Sequence, residues 1–169
     1  MIRRLPALLL AGLLISCVPV VQGTTTGVPL PLVPGVALMA QPGDSIFVED
    51  VTGYPSFGYR PGDFDGAFWI PASARRETAD VRTSFALRDV ELPDGWSLMI
   101  RRMRAVRERV PADSTSASGE PSFIFSLRAV FEVMVAEDAL PGSYQLHAAL
   151  QARTGERQQL EFLVQVGEE

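Results

Sequence analysis

Lysine and asparagine do not occur in this 169-residue chain, and cysteine and histidine occur once each, as Cys17 and His147. Without lysine no Schiff base can form and no ε-amino general base is available. One thiol leaves no disulfide and no thiolate metal cluster. One imidazole excludes the multi-histidine sites that hold zinc or copper. A Ser-His-Asp arrangement survives by count, but the G-x-S-x-G elbow that would expose a nucleophilic serine is missing from the sequence. Carboxylate chemistry remains, and it needs two acids facing each other across a cleft.

Positive charge is also scarce. All 15 cationic residues are arginines, set against 20 acidic residues for a net charge of −5. A chain so acidic is a poor partner for nucleic acid, whose phosphates are bound by neutralising cationic contacts. No nucleic-acid partner and no cofactor are expected.

The chain begins Met1-Ile2-Arg3-Arg4, continues with an apolar run from Leu5 to Ile15, and reaches Ser16-Cys17. A positive start, a short apolar middle and a small residue before the cut are the parts of a secretory signal. The run is too short for a membrane-spanning helix, which needs about 20 residues. The tetrad Leu14-Ile15-Ser16-Cys17 resembles the lipobox of bacterial lipoproteins, in which the cysteine sulfur receives a diacylglycerol before cleavage. That resemblance implies a palmitate-type anchor on Cys17, membrane lipid as a partner, and a place on the cell membrane or outer membrane facing periplasm or exterior. Val18 after the cysteine, in place of an acid, favours the outer membrane. The plain alternative is an incidental thiol in an ordinary signal. Arg3-Arg4 lacks the surrounding consensus of a twin-arginine signal. Removing residues 1–16 from 169 leaves 153, the size of one domain, and takes Arg3 and Arg4 away to give 13 arginines, 20 acids and a net of −7.

Residues 17–35 are rich in proline, threonine and glycine and read as a semi-extended tether, with valines and leucines that allow part of it to pack as an edge strand. Residues 36–169 read as one β-sandwich. Ile46 and Val48, then Phe85 and Leu87, alternate with their neighbours. Phe123, Phe125, Leu127, Ala129, Phe131, Val133 and Val135 are apolar at successive odd positions, and Tyr144, Leu146, Ala148 and Leu150 repeat the pattern, as do Leu160, Phe162, Val164 and Val166. Period two is the signature of strands with one buried face. Gln41-Pro42-Gly43-Asp44, Arg60-Pro61-Gly62-Asp63, Leu92-Pro93-Asp94-Gly95 and Leu140-Pro141-Gly142-Ser143 supply turns between them. Ala112–Gly119 reads as an exposed loop. Met99, Met103, Val106 and Val110 instead carry a helical spacing, so strand is expected for Trp96–Ile100 and either strand or short helix beyond it.

Three pieces carry a further resemblance: Leu92-Pro93-Asp94-Gly95-Trp96-Ser97, the strand ending Phe131-Glu132-Val133-Met134-Val135, and Ala136-Glu137-Asp138-Ala139-Leu140-Pro141-Gly142-Ser143-Tyr144. Residues 90–166 resemble the immunoglobulin-like NEW3 domains, in which a Pro-x-Gly-Trp turn leads a strand and an Ala-x-Pro-Gly-x-Tyr corner precedes the penultimate one. The resemblance covers under half the chain and implies an all-β, immunoglobulin-like antiparallel sandwich in an extracellular setting. It carries over no sugar-binding residue, and an arginine-rich insertion at 101–109 departs from it.

Candidate sites are few. Asp63 and Asp65 sit two apart on a glycine-flanked loop, with Asp44 and Asp50 as further oxygen donors, and could begin a calcium site, although turn-forming aspartates explain them equally. Tyr54, Phe57, Tyr59, Phe64, Phe68 and Trp69 are a dense aromatic patch that suits sugar stacking or a protein partner, or else a loop burying its own rings over one end of the sandwich. Arg101, Arg102, Arg104, Arg107 and Arg109 could meet anionic lipid or an acidic partner, or form a solvated face paired with nearby acids. His147 alternates outward and is expected at the surface. No catalytic residue is assigned. The expected function is a membrane-anchored, non-enzymatic envelope binding or structural module whose partner is an envelope protein or glycan. The alternatives are a carbohydrate-active protein using paired carboxylates and a periplasmic assembly factor that accepts a partner strand at a sheet edge.

Overall fold

Ten strands form in the computed structural model, which describes residues 20–21, 28–68, 76–110 and 122–167. They are β1 (Val20–Val21), β2 (Leu30–Pro31), β3 (Ala37–Ala40), β4 (Ser45–Gly53), β5 (Arg76–Asp80), β6 (Phe85–Glu91), β7 (Ser97–Arg109), β8 (Phe123–Met134), β9 (Gly142–Ala152) and β10 (Arg157–Val166). Cys17, Trp69 and the loop expected at 112–119 lie outside the described residues. Two five-stranded sheets pack face to face, in the orders β1-β3-β10-β9-β6 and β2-β4-β8-β7-β5. The runs β4-β8-β7 and β6-β9-β10 have the order of the B-E-D and C-F-G strands of an immunoglobulin-type sandwich. Among the described residues no helix is long and apolar enough to cross a membrane.

The alternating residues meet between the sheets. Val48, Leu127, Phe131 and Val133 come from one sheet and Leu146, Leu150, Leu160, Phe162 and Val164 from the other, all buried. Phe131 and Phe162 bridge the layers edge to face, with ring centroids 5.7 Å apart. Such a pair adds an aromatic contribution to the burial of its area.

The turns form where their residues ask for them. In both Pro-Gly-Asp turns the aspartate carboxylate accepts a backbone N–H three residues back, from Gln41 to Asp44 (2.8 Å) and from Arg60 to Asp63 (2.7 Å). Gly95 has φ +78°, and a Cβ there would stand 3.1 Å from that of Ala136, so both conformation and space select glycine. Beside it Trp96 packs on Tyr144 at 5.0 Å. The Tyr144 hydroxyl donates to the Leu140 carbonyl at 2.7 Å. A tyrosine at the start of the penultimate strand, bonded to backbone just upstream, is the corner that closes immunoglobulin-type sandwiches.

Three features refine what the sequence suggested. The sheets are not wholly antiparallel: β1–β3, β3–β10 and β2–β4 run parallel, each pair joined by a connection long enough to bring the chain back in the same direction. The segment read as a tether contributes β1 and β2, and Leu30 and Leu32 pack against the core, so the folded body begins before residue 36. Extended valines, leucines and prolines suit an edge strand as well as a spacer. Ser97–Arg109 is strand throughout, with no helix. A β-bulge explains the misleading spacing: Ile100 faces Phe131, Arg102 faces Val130, and Arg101 is the extra residue. The buried phase therefore shifts from Ile100 to Met103 and Ala105, and a strand that changes phase imitates a helical stripe.

Candidate functional site

The outer face of the β4-β8-β7-β5 sheet is where the basic residues gather. Beyond the bulge, Arg102, Arg104 and Val106 point outward while Met103 and Ala105 point into the core. Register sets Arg102 against Val130 and places Arg104 directly opposite Arg128 on one side and Asp80 on the other. The resulting cavity, about 300 Å³, is lined by Arg76, Arg102, Arg104 and Arg128 together with Glu49, Thr78, Val106 and Val130. Val106 and Val130 are buried and form an apolar floor. Glu49 meets Arg128 at 3.5 Å, and Asp80 is engaged in accepting the Arg82 N–H at 3.0 Å. The Arg128 Nε is buried with no hydrogen-bond partner among the described residues.

The remaining arginines of the run act otherwise. Arg101 pairs with Glu132, which is 4 % exposed on the same face. The hydrogen bond from Arg101 holds the Glu132 carboxyl below its usual range against the opposing effect of burial, and the same bond raises the guanidinium. Arg107 pairs with buried Glu77 and, at 3.1 Å, with Asp65. Its guanidinium also lies 4.9 Å from the centre of the Phe68 ring and 5.6 Å from that of Phe123. It is a clamp between the sheet and the loop before β5.

That loop is a lid. Tyr54–Phe57 form a 3₁₀ turn, and Tyr54, Phe57 and Phe64 are buried. Tyr54 meets Phe64 edge to face at 5.2 Å, as Phe57 does Phe85 at 5.2 Å, and Tyr59 lies 4.7 Å from Phe64. The idea of a stacking surface is therefore corrected for Tyr54, Phe57 and Phe64, which close one end of the core. Tyr59 and Phe68 are half-buried against it. Burial, partly offset by Arg107 and reinforced by Asp65, pushes the Tyr54 phenol up to about 12. Glycines and prolines suggested an exposed loop because they report backbone turns and are silent on which way the rings face.

The candidate carboxylates each have other partners. Asp63 caps its own turn and Asp65 pairs with Arg107. Asp44 caps another turn, and among the described residues no group of three or more His, Cys, Asp or Glu converges as a metal site. Asp50 faces inward, accepting from Gln158 at 3.0 Å, and burial raises its carboxyl against that bond. It lines a cavity of about 400 Å³ with His147, Gln158 and Glu161. His147 is thus half-buried, between Glu91 and Glu161 in register.

The sheet edges bear on strand addition. β5 carries Arg76, Glu77 and Asp80, and β6 carries Arg88, Asp89 and Glu91 with a register shift between Arg88 and Glu91. Charge and irregularity blunt an edge against pairing with another chain.

No protein-family model, no curated protein and no solved structure matches the chain.

The sequence singled out Arg102 and Arg104 and missed Arg76 and Arg128. The signal for the latter two lies in register alone, since each comes from a neighbouring strand.

Proposed function

We propose that this protein is a lipid-anchored, non-enzymatic binding module of the cell envelope, held to a membrane by acylated Cys17. The observation that carries the reading is the position of the chain's one cysteine, directly after Leu14-Ile15-Ser16 and an apolar run of signal length. Two or three acyl chains, each contributing about 0.8 kcal/mol per buried CH₂, anchor a protein durably where one does not. An immunoglobulin-type sandwich suits the role, because its rigid sheets present side chains to partners without a catalytic cleft.

The carbohydrate-active alternative draws its support from the cavity containing Asp50 and Glu161. Its acids would act as a pair only if both faced one sugar ring, and the Asp50 carboxylate already accepts from Gln158.

The test is Cys17→Ala in the cells that make the protein. Fractionation is expected to move the protein from membranes to the soluble fraction. A variant that stays with the membranes contradicts the anchor.

A further inference from the structure

The arginine-lined cavity has no counterpart in the reading above, which leaves the ligand's chemistry open. Directly opposed like charges destabilise a strand pair, yet Arg104 and Arg128 face each other across β7 and β8. Arg102 and Arg76 add two more guanidiniums to the same cavity. Among the described residues Glu49 is the one acid in the lining and pairs with Arg128 at 3.5 Å, while Asp80, outside the lining, stands opposite Arg104 in register. Within the lining, four guanidiniums thus outnumber one carboxylate, in a protein whose net charge is −5.

We propose that this cavity binds a phosphorylated group, the phosphate oxygens bridging Arg104 and Arg128 with Arg102 and Arg76 at the rim. The guanidinium fork matches phosphate oxygens two at a time, and charge-assisted bonds of this kind are the strong ones. The buried floor of Val106 and Val130 keeps water from one side, which strengthens the attraction over its value in bulk water. A volume of about 300 Å³ has room for a phosphate or pyrophosphate group. The Arg128 Nε, buried at the cavity wall, has no hydrogen-bond partner among the described residues. The proposal rests on the reading of the sandwich as a binding module and is independent of the acyl anchor.

The same phosphate chemistry is offered by a lipid headgroup and by a soluble anion. The test uses the full mature chain in neutral detergent, titrated calorimetrically with inorganic pyrophosphate, with short-chain phosphatidic acid, and with short-chain phosphatidylcholine as the reference. Saturable binding of pyrophosphate or phosphatidic acid, and not of phosphatidylcholine, is expected; the tighter of the two identifies the source. Arg104→Gln and Arg128→Gln are each expected to weaken it at least tenfold, while the melting temperature without ligand stays level or rises as the facing charges are relieved. That second readout separates loss of the site from loss of the fold. Absence of saturable binding, or binding that both variants retain, overturns the phosphate site. Membrane release of Cys17→Ala is unaffected by either result, so failure of the site and failure of the anchor are told apart.

Discussion

Phe131→Ala is expected to cost the domain about 3–5 kcal/mol, the range for removing a large aromatic ring from a packed core. Phe131 is fully buried, meets Phe162 across the sandwich at 5.7 Å, and stands in register between Val48 and Ile100. Domains of this size are stable by about 5–15 kcal/mol, so the variant should unfold at a much lower denaturant concentration or not fold at all. Urea denaturation followed by tryptophan fluorescence measures it. A cost under about 1 kcal/mol would mean that the two sheets do not share this contact.

Phe57→Ala should cost about 3 kcal/mol or more, as for a core ring. Phe57 is fully buried against Phe85, and its carbonyl accepts the Thr154 hydroxyl at 2.7 Å, which ties the lid to the turn between β9 and β10. The same substitution in a solvent-facing stacking platform would change stability by no more than about 0.5 kcal/mol. The denaturation midpoint thus decides between a lid that completes the core and a loop that presents rings to a ligand. A near-neutral result would return the aromatic patch to the list of partner surfaces.

Strands β8, β9 and β10 were legible because every second residue from Leu127 to Val135, from Leu146 to Leu150 and from Leu160 to Val166 is apolar and buried without a break. The Tyr144 corner was legible from Pro141 and Gly142 beside it. β7 was not, because a single inserted residue at Arg101 reverses the phase and leaves no one period along the strand. β1 and β2 were hidden by composition, since proline-rich extended chain looks alike whether or not it pairs. The arginine cavity was half legible. Arg102 and Arg104 show their common face by spacing of two, but the partners that complete the cavity depend on which residues of β5 and β8 lie opposite. Register is set by long-range packing, which local pattern does not encode.

The placement of this sandwich at a membrane rests on the chemistry of one residue, and intact-mass measurement of the protein purified from its native membranes addresses that residue directly. The mature chain should begin at Cys17, comprise the 153 residues left when 1–16 are removed from 169, and carry the added mass of a diacylglycerol on the sulfur. A chain that retains Met1, or one cut elsewhere with an unmodified Cys17, would contradict the anchor and with it the proposed place of the protein in the cell.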